Sequence, residues 1–312
     1  MAPGGLPPVR TFEMITPEST VSFPEFSNLW ASFDGQQQLS FSQNLRIENH
    51  DITTAVNMFF AKLLLATATV ALVNAGVLEV RATNTNLQTT FPASTGSSAL
   101  AAASTIAAGV TFDGGMKKFD RSVSTCNDQA EGGDADAVFV LQAGAVLSNV
   151  IIGPNNGEGV HCLGTCTLNN VWWTDVCEDA ATFKQSSGTS YVNGGGARSA
   201  SDKILQHNGG GTVAVKNFWA DTFGKVYRSC GNCGTQYKRT STFTNIHVSN
   251  GGVVAGVNTN YGDKVTITNS CVLDTSLCYK YTGNSNGDEP TKTSSGADGT
   301  YCITSGITTS GC

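Results

Sequence analysis

The sequence of 312 residues is poor in charge and in aromatic rings. Lys, Arg, Asp and Glu make up 13% of it, and Phe, Trp and Tyr 8%. Eighteen basic side chains against 24 acidic ones leave a net charge of −6. No basic stripe dominates the chain, so it lacks the means to neutralise a phosphate backbone, which argues against a nucleic-acid partner. No apolar run is long enough to span a bilayer, so a membrane-embedded chain is not expected. Low Lys and Glu content also disfavours a helical protein. What is abundant instead is Gly, at 35 residues, with frequent Ser, Thr, Asn and Val. This mixture suits short strands separated by tight turns. The length allows one sizeable core or two modest domains.

Ten cysteines lie between Cys126 and Cys312. An even count of this size points to disulfides and an oxidising compartment. Cys162-x3-Cys166 and Cys230-x2-Cys233 have spacings that could suit zinc. The two pairs sit far apart and lack a matched second half, so disulfides are favoured.

Residues 58–75 read MFFAKLLLATATVALVNA. A single Lys62, an apolar run from Leu63 to Val73, and small residues at Ala71, Val73 and Ala75 fit an export signal cleaved near Ala75. Residues 1–57 contain no cysteine and no repeat, and are expected to be a disordered upstream extension. The mature domain is then 76–312, a secreted monomer that holds all ten cysteines.

One pattern recurs downstream: an apolar residue, one residue, Asn, then an apolar stretch. It occurs at Asn149 (LSNVIIG), Asn170 (LNNVWWTD), Asn217 (VKNFWAD), Asn245 (FTNIHVS) and Asn269 (ITNSCVLD), with a weaker copy at Asn193 (YVNGGG). Successive copies lie 21, 23, 24, 28 and 24 residues apart. Such a period marks a stacked solenoid. Each unit offers two or three runs of β-formers broken by Gly, Asn and Ser, and no helix-length amphipathic stretch. The fold class expected is all-β, a right-handed parallel β-helix in one solenoid domain, with the repeated Asn residues stacked in a hydrogen-bonded ladder. Leucine-rich repeats would need Leu-x-x-Leu-x-Leu spacing, which is absent. A β-sandwich would need turn signals at shorter intervals.

A coil repeat places residues one period apart above one another, about 4.8 Å apart by strand spacing. The position about nine residues after each repeat Asn is occupied in turn by Glu158, Asp179, Lys203 and Lys225. Glu178 adjoins Asp179, and Arg228 follows Lys225 by three. Carboxylates on the earlier coils and cations on the later ones should therefore line one face. The wider pattern agrees: no Lys or Arg lies between Glu131 and Asp179, whereas eight of the 18 basic residues lie between Lys184 and Arg239.

Stacked carboxylates repel unless a cation sits among them. Oxygen ligands without Cys or His point to calcium. A cationic patch beside it would receive an acidic substrate. Metal, Lys and Arg around a sugar carboxylate are what β-elimination on a uronate needs, because neutralising the C6 carboxylate acidifies the C5 proton. The base must be unprotonated when it acts. Lys reaches that state more readily than Arg, and either implies activity favoured at alkaline pH.

At these residues the sequence resembles the secreted pectate lyases of polysaccharide lyase family three, found in fungi, oomycetes and bacteria. The resemblance runs from about Thr89 to Cys312. It is strongest in GVTFDGGMKKFDR (109–121), DAVFVLQAGAVLSNVIIG (136–153), EGVHCLGTCTLNNVWWTDVCEDA (158–180), SDKILQHNGGGT (201–212), DTFGKVYRSCGNC (221–233) and SGADGTYC (295–302). It implies a right-handed parallel β-helix, calcium, and cleavage of polygalacturonate by β-elimination. By the same resemblance Glu158, Glu178 and Asp179 are the calcium ligands. Lys203, Lys225 and Arg228 are the catalytic and substrate-binding cations, with Lys203 or Arg228 as the base. Lys184 faces the same groove, and Glu131 matches an acidic position near the site. The sequence departs from its relatives at Thr165, Thr174 and Gln142, where acids are frequent.

His161 is expected to point into the wall and satisfy its neighbours rather than act chemically. Trp172, Trp173 and Trp219 follow repeat Asn residues in apolar strands and are expected to pack rather than bind sugar. Two rival functions use the same fold. A polygalacturonase would need facing carboxylates as acid and base, but Lys and Arg occupy the catalytic stretch. A non-catalytic pectin-binding helix would not need the full charge set.

Overall fold

The computed structural model describes residues 83–312. The expected export signal at 58–75 and the upstream extension at 1–57 lie outside the described residues. No helix among the described residues is long and apolar enough to cross a membrane.

Short strands pair in parallel, coil on coil, into three ladders. One runs through 111–113, 146–148, 167–169, 191–193, 212–216, 240–244, 264–268 and 302–305. A second contains 118–121, 150–152, 171–173, 195–197, 219–221 and 247–249. The third carries the charged residues and contains Ser104–Ile106, Ala137–Leu141, Glu158–Cys162, Asp179–Phe183, 203–207, 225–229, 253–258 and Ser276–Thr282. This is the parallel β-helix that the repeat predicted. Antiparallel pairing enters at Thr291–Ser295, which closes a hairpin with Ser276–Thr282.

The third ladder turns one position per coil into the core. Phe139, Val160, Ala181, Leu205, Tyr227, Ala255 and Cys278 stack inward in one register and are fully buried. Each large apolar member contributes about 1.5–3 kcal/mol by leaving water. Trp172 and Trp173 are buried, and Trp219 packs beside Trp172 and Phe91, so all three tryptophans serve packing.

The repeat Asn residues turn corners. Asn149, Asn170, Asn217, Asn245 and Asn269 all have φ between 50° and 58°. Asn tolerates this left-handed conformation better than other side chains except Gly. Asn170 Nδ2 donates to Asn149 Oδ1 at 2.9 Å, and Asn245 Nδ2 to Asn217 Oδ1 at 2.7 Å. The copy at Asn193 breaks the expected ladder. Asn193 pairs with Asn169 instead, and Gly194 and Gly195 make the turn at φ 67° and 87°. A Cβ on Gly195 would lie 2.1 Å from the Val171 carbonyl oxygen. Gly195→Ala is therefore expected to cost about 3 kcal/mol from strained φ and overpacking. Denaturant unfolding measures it; an unchanged midpoint would contradict the close approach.

All ten cysteines are bonded, as 126–177, 162–166, 230–233, 271–312 and 278–302. Both short-spaced pairs close on themselves, which leaves no thiolate for zinc.

Candidate active site

Glu158, Asp179, Lys203 and Lys225 occupy one register of the third ladder, each paired with the next. The spacing of the repeat placed them there, because one residue per coil recurs at the same point of the turn. Three residues on, His161, Thr182, Gln206 and Arg228 form a second outward row. Glu178 precedes the strand Asp179–Phe183, and its backbone N–H bonds the Gly157 carbonyl at 3.1 Å.

A loop closes over the acidic end. The Cys126–Cys177 disulfide ties it to the residue before Glu178. Gly132 N–H donates to Glu158 Oε1 at 3.0 Å. This brings Glu131 to Glu158 and Glu178, and the three offer oxygens within 4.8 Å of one another. Glu158 and Glu178 are buried while Glu131 remains exposed at the rim. Asp179 shares a small pocket with Glu131, Glu158, His161 and Lys184.

The electrostatics differ along the cleft. Burial drives the Asp179 carboxyl well above the usual range; Lys203 opposes this and Glu178 reinforces it. Burial and the neighbouring Glu178 also raise Glu131. Burial works against Glu158 too, but a hydrogen bond from His161 at 2.9 Å and the Gly132 N–H hold it below the usual range. His161 also meets Asp134, and Lys184 reaches both. His161 thus faces the pocket rather than the interior of the wall, ties Glu158 to Asp134 there, and has Lys184 beside it over the acidic end.

Lys203 Nζ lies 2.6 Å from Glu178, 2.8 Å from Asp202 and 3.6 Å from Asp179. Burial pulls its pKa down, but Asp179 and the bonds to Asp202 and Glu178 outweigh this and raise it. Lys225 bonds the other oxygen of Asp202. Arg228 makes no ion pair among the described residues, and burial lowers its pKa. These cations line a cavity of about 180 Å³ with Glu131, Gln206, Tyr281 and Glu289. Two larger clefts, of about 310 and 440 Å³, are lined by no charged side chain.

Sequence reasoning missed Asp202, Tyr281 and Asn258. Asp202 sits inside the SDK motif and its charge was readable, but only the coil register shows it between two lysines. Tyr281 and Asn258 come from later coils, beyond the four charged positions of the register.

The acidic end fits a hard cation. It supplies clustered carboxylate oxygens from Glu131, Glu158 and Glu178, and Glu178 Oε2 is buried without a hydrogen-bond partner; Asp179, outside that cluster, turns Oδ1 toward Lys203 at 3.6 Å. Buried carboxylate oxygens are normally paired.

A parallel β-helix with an acid-to-cation cleft on one ladder is the architecture of a polysaccharide lyase. Residues 88–288 match the pectate lyase family model, and the chain belongs to that family. It is 50% identical over 214 residues to pectate lyase E of Emericella nidulans, covering 68% of this chain and 83% of that protein. It is 48% identical over 243 residues to the probable pectate lyase D of the same organism, covering 74% and 92%. Among solved structures it resembles pectate lyase PelI from Erwinia chrysanthemi, crystallised with tetragalacturonic acid. The TM-score is 0.56 at 32% identity, covering 66% of this chain and 70% of that one.

Proposed function

We propose that this polysaccharide lyase cleaves α-1,4-polygalacturonate by calcium-dependent β-elimination outside the cell. The observation that carries this reading is the single register of Glu158, Asp179, Lys203 and Lys225, with Glu178 and Arg228 beside it. The solved relative bound to tetragalacturonic acid supports the substrate class. Five disulfides support an oxidising destination.

Glu158, Glu178 and Asp179 would hold calcium, with Glu131 at the rim. Calcium held there would supply positive charge to a uronate carboxylate, which would make the C5 proton more acidic. Lys225, anchored by Asp202, and Arg228 receive the negative charge of the substrate. Lys184 extends the groove at the acidic end. The C5 proton passes to Lys203 or Arg228. Lys203 remains an ammonium while Glu178 and Asp179 face it, so it accepts a proton only when those carboxylates are engaged elsewhere. Burial moves Arg228 in the direction a base requires. As the proton leaves C5 the C4–O bond breaks, giving an unsaturated product without consuming water.

Residues 76–312 incubated with polygalacturonate and calcium are expected to produce a rise in ultraviolet absorbance that a chelator abolishes. New reducing ends without absorbance would establish hydrolysis instead. Binding without any product would establish a non-catalytic helix.

A further inference from the structure

We infer that Asn258 is a positioning residue that aims the Arg228 guanidinium into the cleft, with buried Asp263 fixing the Asn258 amide for that task. The inference rests on the role proposed above for Arg228.

Arg228 is held on several sides. Its strand partner on the next coil is Gly256, where a Cβ would lie 2.8 Å from Arg228 Cδ. The missing side chain lets Arg228 run along the helix axis to the following coil. There the guanidinium carbon rests 4.0 Å from the centroid of the Tyr281 ring. Tyr281 is the strand partner of Asn258. Across the guanidinium, a Cβ on Gly231 would fall 2.4 Å from Arg228 Nη2.

The hydrogen bonds are one-sided. Nη1 donates to the Ser229 carbonyl at 2.6 Å and to Asn258 Oδ1 at 2.9 Å. Nε and Nη2 have no protein acceptor among the described residues, although the residue is only 6% exposed. Tying down Nη1 leaves the Nε–Nη2 edge, a planar two-donor fork that matches a carboxylate.

The amide of Asn258 has one usable orientation. Its Nδ2 donates to the Cys230 carbonyl at 3.0 Å and to Asp263 Oδ2 at 3.2 Å, with Ser229 O at 3.4 Å. A flipped amide would set its oxygen against three acceptors, so Oδ1 must face Arg228. Asp263 is itself fixed: Oδ2 accepts the Asn258 N–H at 3.1 Å and Oδ1 the Arg239 N–H at 2.9 Å. Asn258 and Asp263 are both fully buried. A buried carboxylate is costly unless fully hydrogen-bonded, and here its bonds orient an amide that ends on the cleft.

The test is a mutant cycle on polygalacturonate with calcium, with melting and calcium binding as controls. Asn258→Ala is expected to lower kcat/KM about 100-fold, the scale of a misplacement of about 1 Å, with calcium affinity unchanged. In an Arg228→Lys background the same change should cost less than about threefold, because its effect passes through Arg228. Asp263 makes no hydrogen bond to Arg228 and fixes the Asn258 amide, so Asp263→Asn should lower kcat/KM in the same direction if Asn258→Ala proves too unstable to assay. If folded Asn258→Ala and Asp263→Asn keep the parent kcat/KM, or if the Asn258 and Arg228 effects multiply, the inference is overturned while the role of Arg228 stands. If Arg228→Ala is itself fully active, that role falls and the inference with it.

Discussion

Lys203→Ala is expected to lower kcat on polygalacturonate by about 10²–10⁴-fold, the range of a positioned acid–base group. Arg228→Ala should fall in the same range. The two losses have different origins. Lys203 lies among Glu178, Asp179 and Asp202, so its removal also leaves buried carboxylates without their counter-charge. The chelated Lys203→Ala protein should therefore melt below the parent, with calcium restoring part of the difference. Arg228 touches no carboxylate among the described residues, so Arg228→Ala should bind calcium like the parent. Stopped turnover, calcium titration and circular dichroism on the same samples separate these effects. Near-parental rates for both variants would refute the assignment of the cationic end.

Calcium should protect the fold against heat, and the protection should grow as pH rises from about 5 to about 8. Asp179 and Glu131 have raised pKa values in the folded chain, through burial first and then the neighbouring carboxylates. Such a group contributes stability below its unfolded pKa and loses it as pH rises through the folded value. The chelated chain is therefore weakened on the alkaline side, where these groups ionise against Glu178. On the acidic side calcium must displace their protons and binds less tightly. Asp202 does not confound the comparison: burial opposes its ionisation, but its bonds to Lys203 and Lys225 hold it below the usual range. Calcium at about a thousandfold its Kd is worth about 4 kcal/mol, or about 8–16 °C for a domain of this size. Differential scanning calorimetry with calcium or chelator at the two pH values reads the effect, and Glu178→Gln should abolish most of it. Equal shifts at both pH values would remove the raised carboxyls from the metal site.

The solenoid and its charged register were legible in the sequence because both follow from periodicity. A residue that recurs once per coil must stack on its predecessor, so Asn149 and Asn170 announced a stacked ladder, and Glu158, Asp179, Lys203 and Lys225 announced the cleft. The same reasoning misplaced Asn193, since adjacent Asn, Gly and Gly residues cannot be assigned to a corner without knowing which has positive φ. Pairing among ten cysteines was closed to it as well, because connectivity depends on distance in space rather than spacing along the chain.

What the chain determined by itself is a one-dimensional order: coil after coil, acids before bases, with an Asn that recurs once per coil. Only the tertiary structure decided what surrounds each charge. It brought Glu131 to Glu158 and Glu178 through a loop tied by Cys126–Cys177, set Asp202 between two lysines, and laid Arg228 across Gly256 onto Tyr281 and Asn258. These contacts join residues from different coils and from an intervening loop. Their energies depend on burial and on distances of a few ångströms, which periodicity does not carry.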